Sequence, residues 1–285
     1  MNPKILEISD KDYHSDKTGD GPPSLSSSIA TQLLNRSPFH AWLHHPRLGN
    51  VKRESTDSMD NGTIIHALVL GQKPPVEILP FENFRKKEAQ EKRDAAVEAG
   101  KIPVLEREWG GLQTTGKAIV RELAERGIQL TGKSEQVVVW EEETDHGPIR
   151  CRGMMDHLWL SQAAVFDLKN CRSAHPKAVR SHVMEYGYPV QASAYRSALR
   201  KLNPEMAGRE SFTWGFVEQM PLGSPKRVLI TVAQPSGLMR EYGDAQWAKA
   251  CNLWAWCLKN DRWPDYTGDE VLSLDPPGWA VNEEF

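Results

Sequence analysis

Ile149-Arg150-Cys151-Arg152-Gly153-Met154-Met155-Asp156-His157-Leu158-Trp159-Leu160, then Ser161-Gln162, then Ala164-Val165-Phe166-Asp167-Leu168-Lys169-Asn170: this run reads as two strands joined by a tight turn. Side chains alternate along a strand, so Asp167 and Lys169 share one face while Phe166 and Leu168 take the other, facing the core. Opposed residues in a hairpin have a constant index sum. A turn centred on Ser161-Gln162 makes that sum 323 and sets Asp156 across from Asp167. Just upstream, Gln136–Trp140 is β-branched and aromatic, and Asp145-His146-Gly147 is a turn signal. Centring that turn on Asp145-His146 gives a sum of 291 and sets Glu135 across from Asp156. A slip of one residue in either hairpin would destroy the alignment.

In this register three carboxylates form a row about 5 Å apart. Like charges so placed repel, and a divalent cation relieves the repulsion; hard oxygen ligands suit Mg²⁺ or Mn²⁺. The plainer alternative is a solvated sheet face bearing acids. Lys169 beside such a cation has a role of its own: its ammonium can hold the attacking water and stabilise the extra charge of a pentavalent phosphorus. Burial would lower its pKa and the carboxylates would raise it, and the residues alone leave that contest open. On the helix that follows, Gln191 and Tyr195 are four apart and share a face. Both are neutral donors suited to phosphate oxygens or base edges.

Working outward, residues 1–23 are polar and punctuated by Gly19, Gly21, Pro22 and Pro23, predicting a loosely held start. Ser26-Ser27-Ser28 caps a short helix carrying Ile29, Leu33 and Leu34, and Ser37-Pro38 opens another with Phe39, Trp42 and Leu43. Asp60 to Gly71 reads as a buried helix whose apolar part holds His66, which taken alone is a core histidine satisfied by a backbone carbonyl. Residues 82–99 form a solvated helix, Lys101–Leu105 a short strand, and Glu106–Arg126 an amphipathic helix ended by Gly127. Downstream come a helix from about Pro176 to Lys201 interrupted near Gly187-Pro189, a hairpin of Phe212–Gln219 and Arg227–Ala233 around Pro221-Leu222-Gly223-Ser224, and a helix from about Asp244 to Lys259. The stripe Trp247, Cys251, Trp254 and Leu258 on that last helix is a packing face.

The chain of 285 residues is 39% hydrophobic and 26% charged, the composition of a globular protein with a sizeable core. No membrane-span-length apolar run and no secretory signal stand out, which predicts a cytoplasmic protein. With a net charge of −3, any nucleic-acid binding must come from a local basic groove, for which Lys177, Arg180, Arg196 and Arg200 are the candidates. Cys151, Cys171, Cys251 and Cys257 lack two-residue spacings and read as unligated thiols.

Five motifs in order carry a resemblance: Gly62-Thr63-(two residues)-His66, Glu135, Gly153-(two residues)-Asp156, Asp167-Leu168-Lys169, and Gln191-(three residues)-Tyr195. Together they resemble the PD-(D/E)xK nuclease superfamily and, within it, the exonuclease VIII (RecE-type) nucleases of phages and prophages. Ser26-Ser27-Ser28, Leu33-Leu34 and Ser37-Pro38-(one residue)-His40 extend the likeness into the lead-in. The resemblance implies an α/β (α+β) restriction-endonuclease-like fold, a central mixed β-sheet flanked by helices with a helical N-terminal lead-in. The implied domain spans 24–264, with a lead-in over 24–133, a catalytic core over 134–201, a completing sheet and helix over 202–264, and a tail over 265–285.

By the same resemblance, Asp156, Asp167 and the Leu168 carbonyl bind catalytic Mg²⁺, with Mn²⁺ a substitute. Lys169 serves the attacking water, His66 and Glu135 are further metal ligands, and Gln191 and Tyr195 stand beside the site. The implied activity is digestion of linear double-stranded DNA from the 5′ end in a bacterial host, leaving a 3′ single strand for a RecT-type annealing recombinase. The implied assembly is a homo-oligomeric ring on DNA ends. Relatives with iron–sulfur clusters carry a cysteine upstream of these motifs; this chain has none before Cys151, so no cluster is expected. Two other readings stay open: a nuclease of the same fold that cuts single strands or internally, and a non-catalytic DNA-binding relative.

Overall fold

A computed structural model describes residues 2–51, 57–218, 228–267 and 270–276. In chain order the elements are β1 (Lys4–Leu6), α1 (Asp10–His14), α2 (Ser27–Asn35), α3 (Pro38–His44), α4 (Asp57–Val69), β2 (Val76–Leu79), α5 (Lys87–Glu98), β3 (Ile102–Leu105), α6 (Glu106–Glu125), β4 (Lys133–Glu142), β5 (Ile149–Trp159), β6 (Ala164–Cys171), α7 (Pro176–Glu185), α8 (Tyr188–Leu202), β7 (Ser211–Glu218), β8 (Ile230–Ala233) and α9 (Gly237–Asn260). Six strands form one mixed sheet in the order β1-β4-β5-β6-β7-β8, and β2 and β3 make a separate parallel pair. Among the described strands of the large sheet only β6 and β7 pair in parallel, and α7 with α8 supplies the crossover that a parallel pair requires. The expected fold, a central sheet flanked by helices, is the one observed.

Helices cover both faces. On one, Val138, Trp140, Met155, Val165, Phe212 and Trp214 pack with Leu33 of α2, Leu199 of α8 and Trp254 of α9. On the other, Phe166, Leu168 and Val217 pack with Ile64 of α4 and Leu112, Ile119 and Leu123 of α6. Each fully buried side chain of this size stabilises the fold by about 1.5–3 kcal/mol over exposure. The tryptophan stripe of α9 is a packing face, as its spacing predicts: Trp247, Cys251 and Trp254 are all buried. All four cysteines are buried free thiols.

Both hairpin registers match the expectation. Pairs from β4 to β5 keep the sum 291 (Ser134↔His157, Gln136↔Met155), and pairs from β5 to β6 keep 323 (His157↔Phe166, Trp159↔Ala164). The second turn is longer than the two residues expected, Leu160 to Ala163 with Ala163 left-handed, but its centre is the same.

The N-terminus corrects the sequence reading. Residues 1–23 were expected to be loosely held, yet β1 forms the sheet edge against β4 and Ser9 caps α1. Asp16 is buried and accepts from Ser24 N–H at 3.0 Å, with Arg152 Nη1 3.2 Å and Arg47 Nη1 3.5 Å away. Arg150 donates to the carbonyls of Thr18, Gly19 and Asp20, and Gly19, with φ +126°, holds a backbone conformation that a residue with a side chain rarely adopts. Buried cations thus clasp a segment whose polar composition suggested mobility. Among the described residues no helix is long and apolar enough to cross a membrane. The expected turn Pro221-Leu222-Gly223-Ser224 lies outside the described residues.

Candidate active site

Pairing between β5 and β6 stops at His157↔Phe166, and beyond it β6 pairs only with β7. The next pair would set Asp156 against Asp167. Instead the strands fork there, and Asp156 Oδ2 accepts the Leu168 N–H at 2.7 Å. The neighbouring strand breaks at the same level: Ser134 and Gln136 pair with β5, but Glu135 between them is left-handed, with φ 51°. Met155 and Leu158 both join one core cluster, although residues three apart in a regular strand face opposite ways. The carboxylates are therefore aligned in index, as expected, but have left the ladder, and this opens a cleft.

That cleft, about 920 Å³, is lined among others by Asp10, His14, His66, Glu135, Leu168 and Lys169. His66 projects from α4 between two acids, its Nε2 2.9 Å from Asp156 Oδ2 and its Nδ1 3.7 Å from Glu135 Oε1. It is not the carbonyl-satisfied core histidine that its helix alone suggests. On the β6 face toward α8, Lys169 Nζ lies 2.7 Å from Asp167 Oδ2 and Gln191 Nε2 donates to Asp167 Oδ1 at 2.8 Å. Two motif glycines serve close approaches. Gly62 O accepts from Asn170 Nδ2 at 3.2 Å, joining α4 to β6. A Cβ on Gly153 would lie 2.7 Å from the Tyr195 ring, whose hydroxyl donates to Met154 O at 2.7 Å.

The electrostatics divide the two aspartates. Burial drives the Asp167 pKa up to about 6, with Asp156 adding to the rise and Lys169 opposing it. Burial also works against ionised Asp156, but His66, Lys169 and the Leu168 N–H outweigh it and hold its carboxyl below the ordinary value. For Lys169 burial opposes the charge, and Asp167 with Asp156 overcomes it, so the pKa is raised. That contest, open in the sequence, goes to the carboxylates. Burial likewise opposes protonation of His66, and Asp156, Asp167 and Glu135 reverse the balance upward. Glu135 is raised, chiefly by burial.

Among the described residues no three His, Cys, Asp or Glu side chains are gathered to hold a metal ion as they stand. The donor chemistry of the fork nonetheless fits a hard divalent cation. Asp167 Oδ2 is buried with only the Lys169 ammonium, 2.7 Å away, beside it, and a second carboxylate, Asp156, is close enough to raise its pKa. The Leu168 N–H, next in the chain after Asp167, donates to Asp156 Oδ2. Asp156 and Asp167 would be the principal holders, with His66 and Glu135 at the rim.

Tyr195 is 3% exposed, its hydroxyl donating to Met154 O and its ring lying against Gly153. Gln191 reaches the site through its amide, which donates to Asp167 Oδ1. Of the arginines expected on DNA, Arg196 is buried with Nη1 3.1 Å from Asp244 Oδ1, whereas Arg200 stays exposed with Nε 3.0 Å from Glu210 Oε1. Lys177 and Arg180 remain exposed on α7. Sequence reasoning missed Asp10 and His14, 3.1 Å apart on α1 and lining the cleft, although Ser9-(two residues)-Asp12 is a capping signal that announces the helix. It also missed Tyr188, whose ring centroid lies 4.8 Å from Lys169 Nζ; its spacing of three from Gln191 on α8 was the available signal.

The chain has 12% identity to a Eubacterium rectale crystal structure called a "Putative exonuclease", with a TM-score of 0.58 over 98% of this chain and 100% of that one, a likeness of fold. A phage related exonuclease from Haemophilus somnus 129PT aligns at 13% identity over 72% of this chain and 84% of that one, and its TM-score of 0.31 carries no argument. A comparison with curated proteins finds no match. Residues 26–271 match the family described as a PDDEXK-like domain of unknown function (DUF3799), and with the forked strands and the Asp167-Leu168-Lys169 triplet in place, the chain belongs to that PDDEXK-like family.

Proposed function

We propose that this protein is a Mg²⁺-dependent exodeoxyribonuclease of the exonuclease VIII (RecE-type) kind, digesting linear double-stranded DNA 5′→3′. The observation that carries the reading is the convergence of Asp156, Asp167 and Lys169 at the fork of β5 and β6, with His66 reaching in from α4. When bound, the cation would supply Lewis-acid charge to the phosphate and its nucleophile. Lys169 keeps its proton in the field of Asp167 and Asp156, so it acts as a fixed cation that holds water and offsets charge on the phosphoryl oxygens, not as a base. Gln191 orients Asp167 from behind, and Tyr195 fixes the strand that carries Asp156.

The Mg²⁺ preference, with Mn²⁺ as substitute, rests on the oxygen-rich donor set. Action in the bacterial cytoplasm, a ring-shaped homo-oligomer and delivery of the 3′ strand to a RecT-type recombinase follow from the same likeness and belong to this proposal.

Linear duplexes labelled at either the 5′ or the 3′ end, with a circular duplex beside them, test it. Early release of the 5′ label, an intact circle, and loss of digestion in EDTA or in Lys169→Ala are expected. Early release of the 3′ label would reverse the polarity, and cutting of the circle would make the enzyme an endonuclease. Full activity in EDTA would overturn the metal requirement.

A further inference from the structure

Lys169 borders more than the cleft. Its ammonium lies over the Tyr188 ring, 4.8 Å from the centroid, and Tyr188 is the middle of a series of rings. Inward, Phe216, 1% exposed, packs 6.1 Å from it. Outward, Tyr186 stacks on it at 5.8 Å with planes only 24° apart, and His182 meets Tyr186 edge-on at 5.9 Å. Tyr186 is 55% exposed, so the series ends at the surface. The connection between α7 and α8 sets this geometry: Tyr186 caps α7, Gly187 turns the chain with φ +67°, and Tyr188 begins α8. Only a residue at ease in the left-handed region permits so abrupt a turn, and the turn places two tyrosines ring to ring.

Exposed tyrosine in this setting has a recognisable chemistry. Each nucleobase has a π-face, so aromatic rings beside a backbone-tracking cation hold unpaired bases with little regard to sequence. The cation is present: Lys169 at the inner end, its ammonium over the Tyr188 ring. A blunt duplex, whose bases are stacked on one another, cannot use such a surface. We propose that Tyr186 and Tyr188 form a stacking platform for an unpaired nucleobase of the strand whose phosphate reaches Lys169, so that the site takes frayed or single-stranded DNA at the scissile position. This rests on the nuclease reading of Lys169 and adds the state in which the substrate strand is held.

Binding of a fluorescein-labelled single-stranded oligothymidylate in EDTA, followed by anisotropy, tests the platform without digestion. Tyr186→Ala should weaken that binding about tenfold, Tyr186→Trp should restore it, and binding of a blunt hairpin duplex should be unchanged. The wild-type protein should lose affinity to the same degree for an oligonucleotide with abasic positions, a measurement that needs no variant to fold. Equal affinity for abasic and normal strands, or wild-type single-strand binding by Tyr186→Ala, would overturn the platform. So would equal losses on single strand and hairpin. Failure of the nuclease reading is separate, since it would appear as wild-type protein that leaves every DNA intact in Mg²⁺.

Discussion

Asp167 is where charge, burial and chemistry meet. Its carboxyl, with a pKa of about 6, lies above the ordinary 3.8, so in metal-free protein its contribution to stability is full below 3.8 and is lost as pH rises through about 6. A cation needs the ionised form, which sets the opposite trend for binding. Mg²⁺ should therefore raise the melting temperature by a few degrees at about ten times its dissociation constant. The increase should grow as pH rises through about 6 and be absent in Asp167→Asn. Calorimetry across pH 5 to 8 checks this, and an Asp167→Asn protein that still responds to Mg²⁺ would move the cation elsewhere. The residue types themselves were legible in the chain; the division of pKa values was not, because it depends on which carboxylate His66 reaches from ninety positions away.

At the scale of elements, β5 is held in its forked course by α8. Tyr195 lies against Gly153 and donates to Met154 O, two residues before Asp156. Gly153→Ala would force a Cβ to 2.7 Å from the Tyr195 ring, and should destabilise the protein by about 1–3 kcal/mol in urea unfolding while lowering DNA digestion through displacement of Asp156. Tyr195→Phe removes only the hydroxyl and should cost about 1 kcal/mol. If Gly153→Ala were as stable and active as the wild type, the ring would not be holding the strand. The bounds of β5 and β6 and both hairpin registers were readable because period-two alternation and turn residues are local signals, whereas the short strands β1 and β2 left no such pattern. The fork was not, since it arises where the Asp156 side chain takes a backbone N–H that a ladder would otherwise have used.

For the molecule as a whole, the N-terminal segment is joined to the core through a buried polar centre of Asp16, His45 and Arg152. His45 Nε2 faces Ser24 O at 3.1 Å while Nδ1 accepts the Arg47 N–H at 3.1 Å, an arrangement that suits the neutral ring. Burial first, then Arg152, lowers its pKa from 6.5 to about 4. A folded pKa below the unfolded one gives stability that is present above 6.5 and lost as pH falls through about 4, on the order of 3 kcal/mol. Denaturant titrations at pH 7 and pH 4.5 should show His45→Gln less stable than wild type at the higher pH but losing less on acidification. An equal loss in both proteins would assign the acid sensitivity to other groups. This centre also explains why residues 1–23 misled: their glycines and prolines speak of turns, and only the distant Arg150 and Arg152 reveal that those turns are clasped.

The sequence by itself determined most of the helices, the hairpin strands, the order of the five motifs and the index alignment of Glu135, Asp156 and Asp167, because periodicity, capping and turn chemistry act over a few residues; the mixed sheet was expected from the family resemblance alone. Only the tertiary structure decided which of the named groups meet. It brought His66 to Asp156, set the Gln191 amide on Asp167 and the Tyr195 hydroxyl on Met154 O, and paired Arg196 with Asp244 and Arg200 with Glu210. It also brought Asp10 and His14 to the cleft and set Tyr186 and Tyr188 beside Lys169. The reason is physical: a side chain's partner is set by which elements pack together, and that packing is a property of the whole chain.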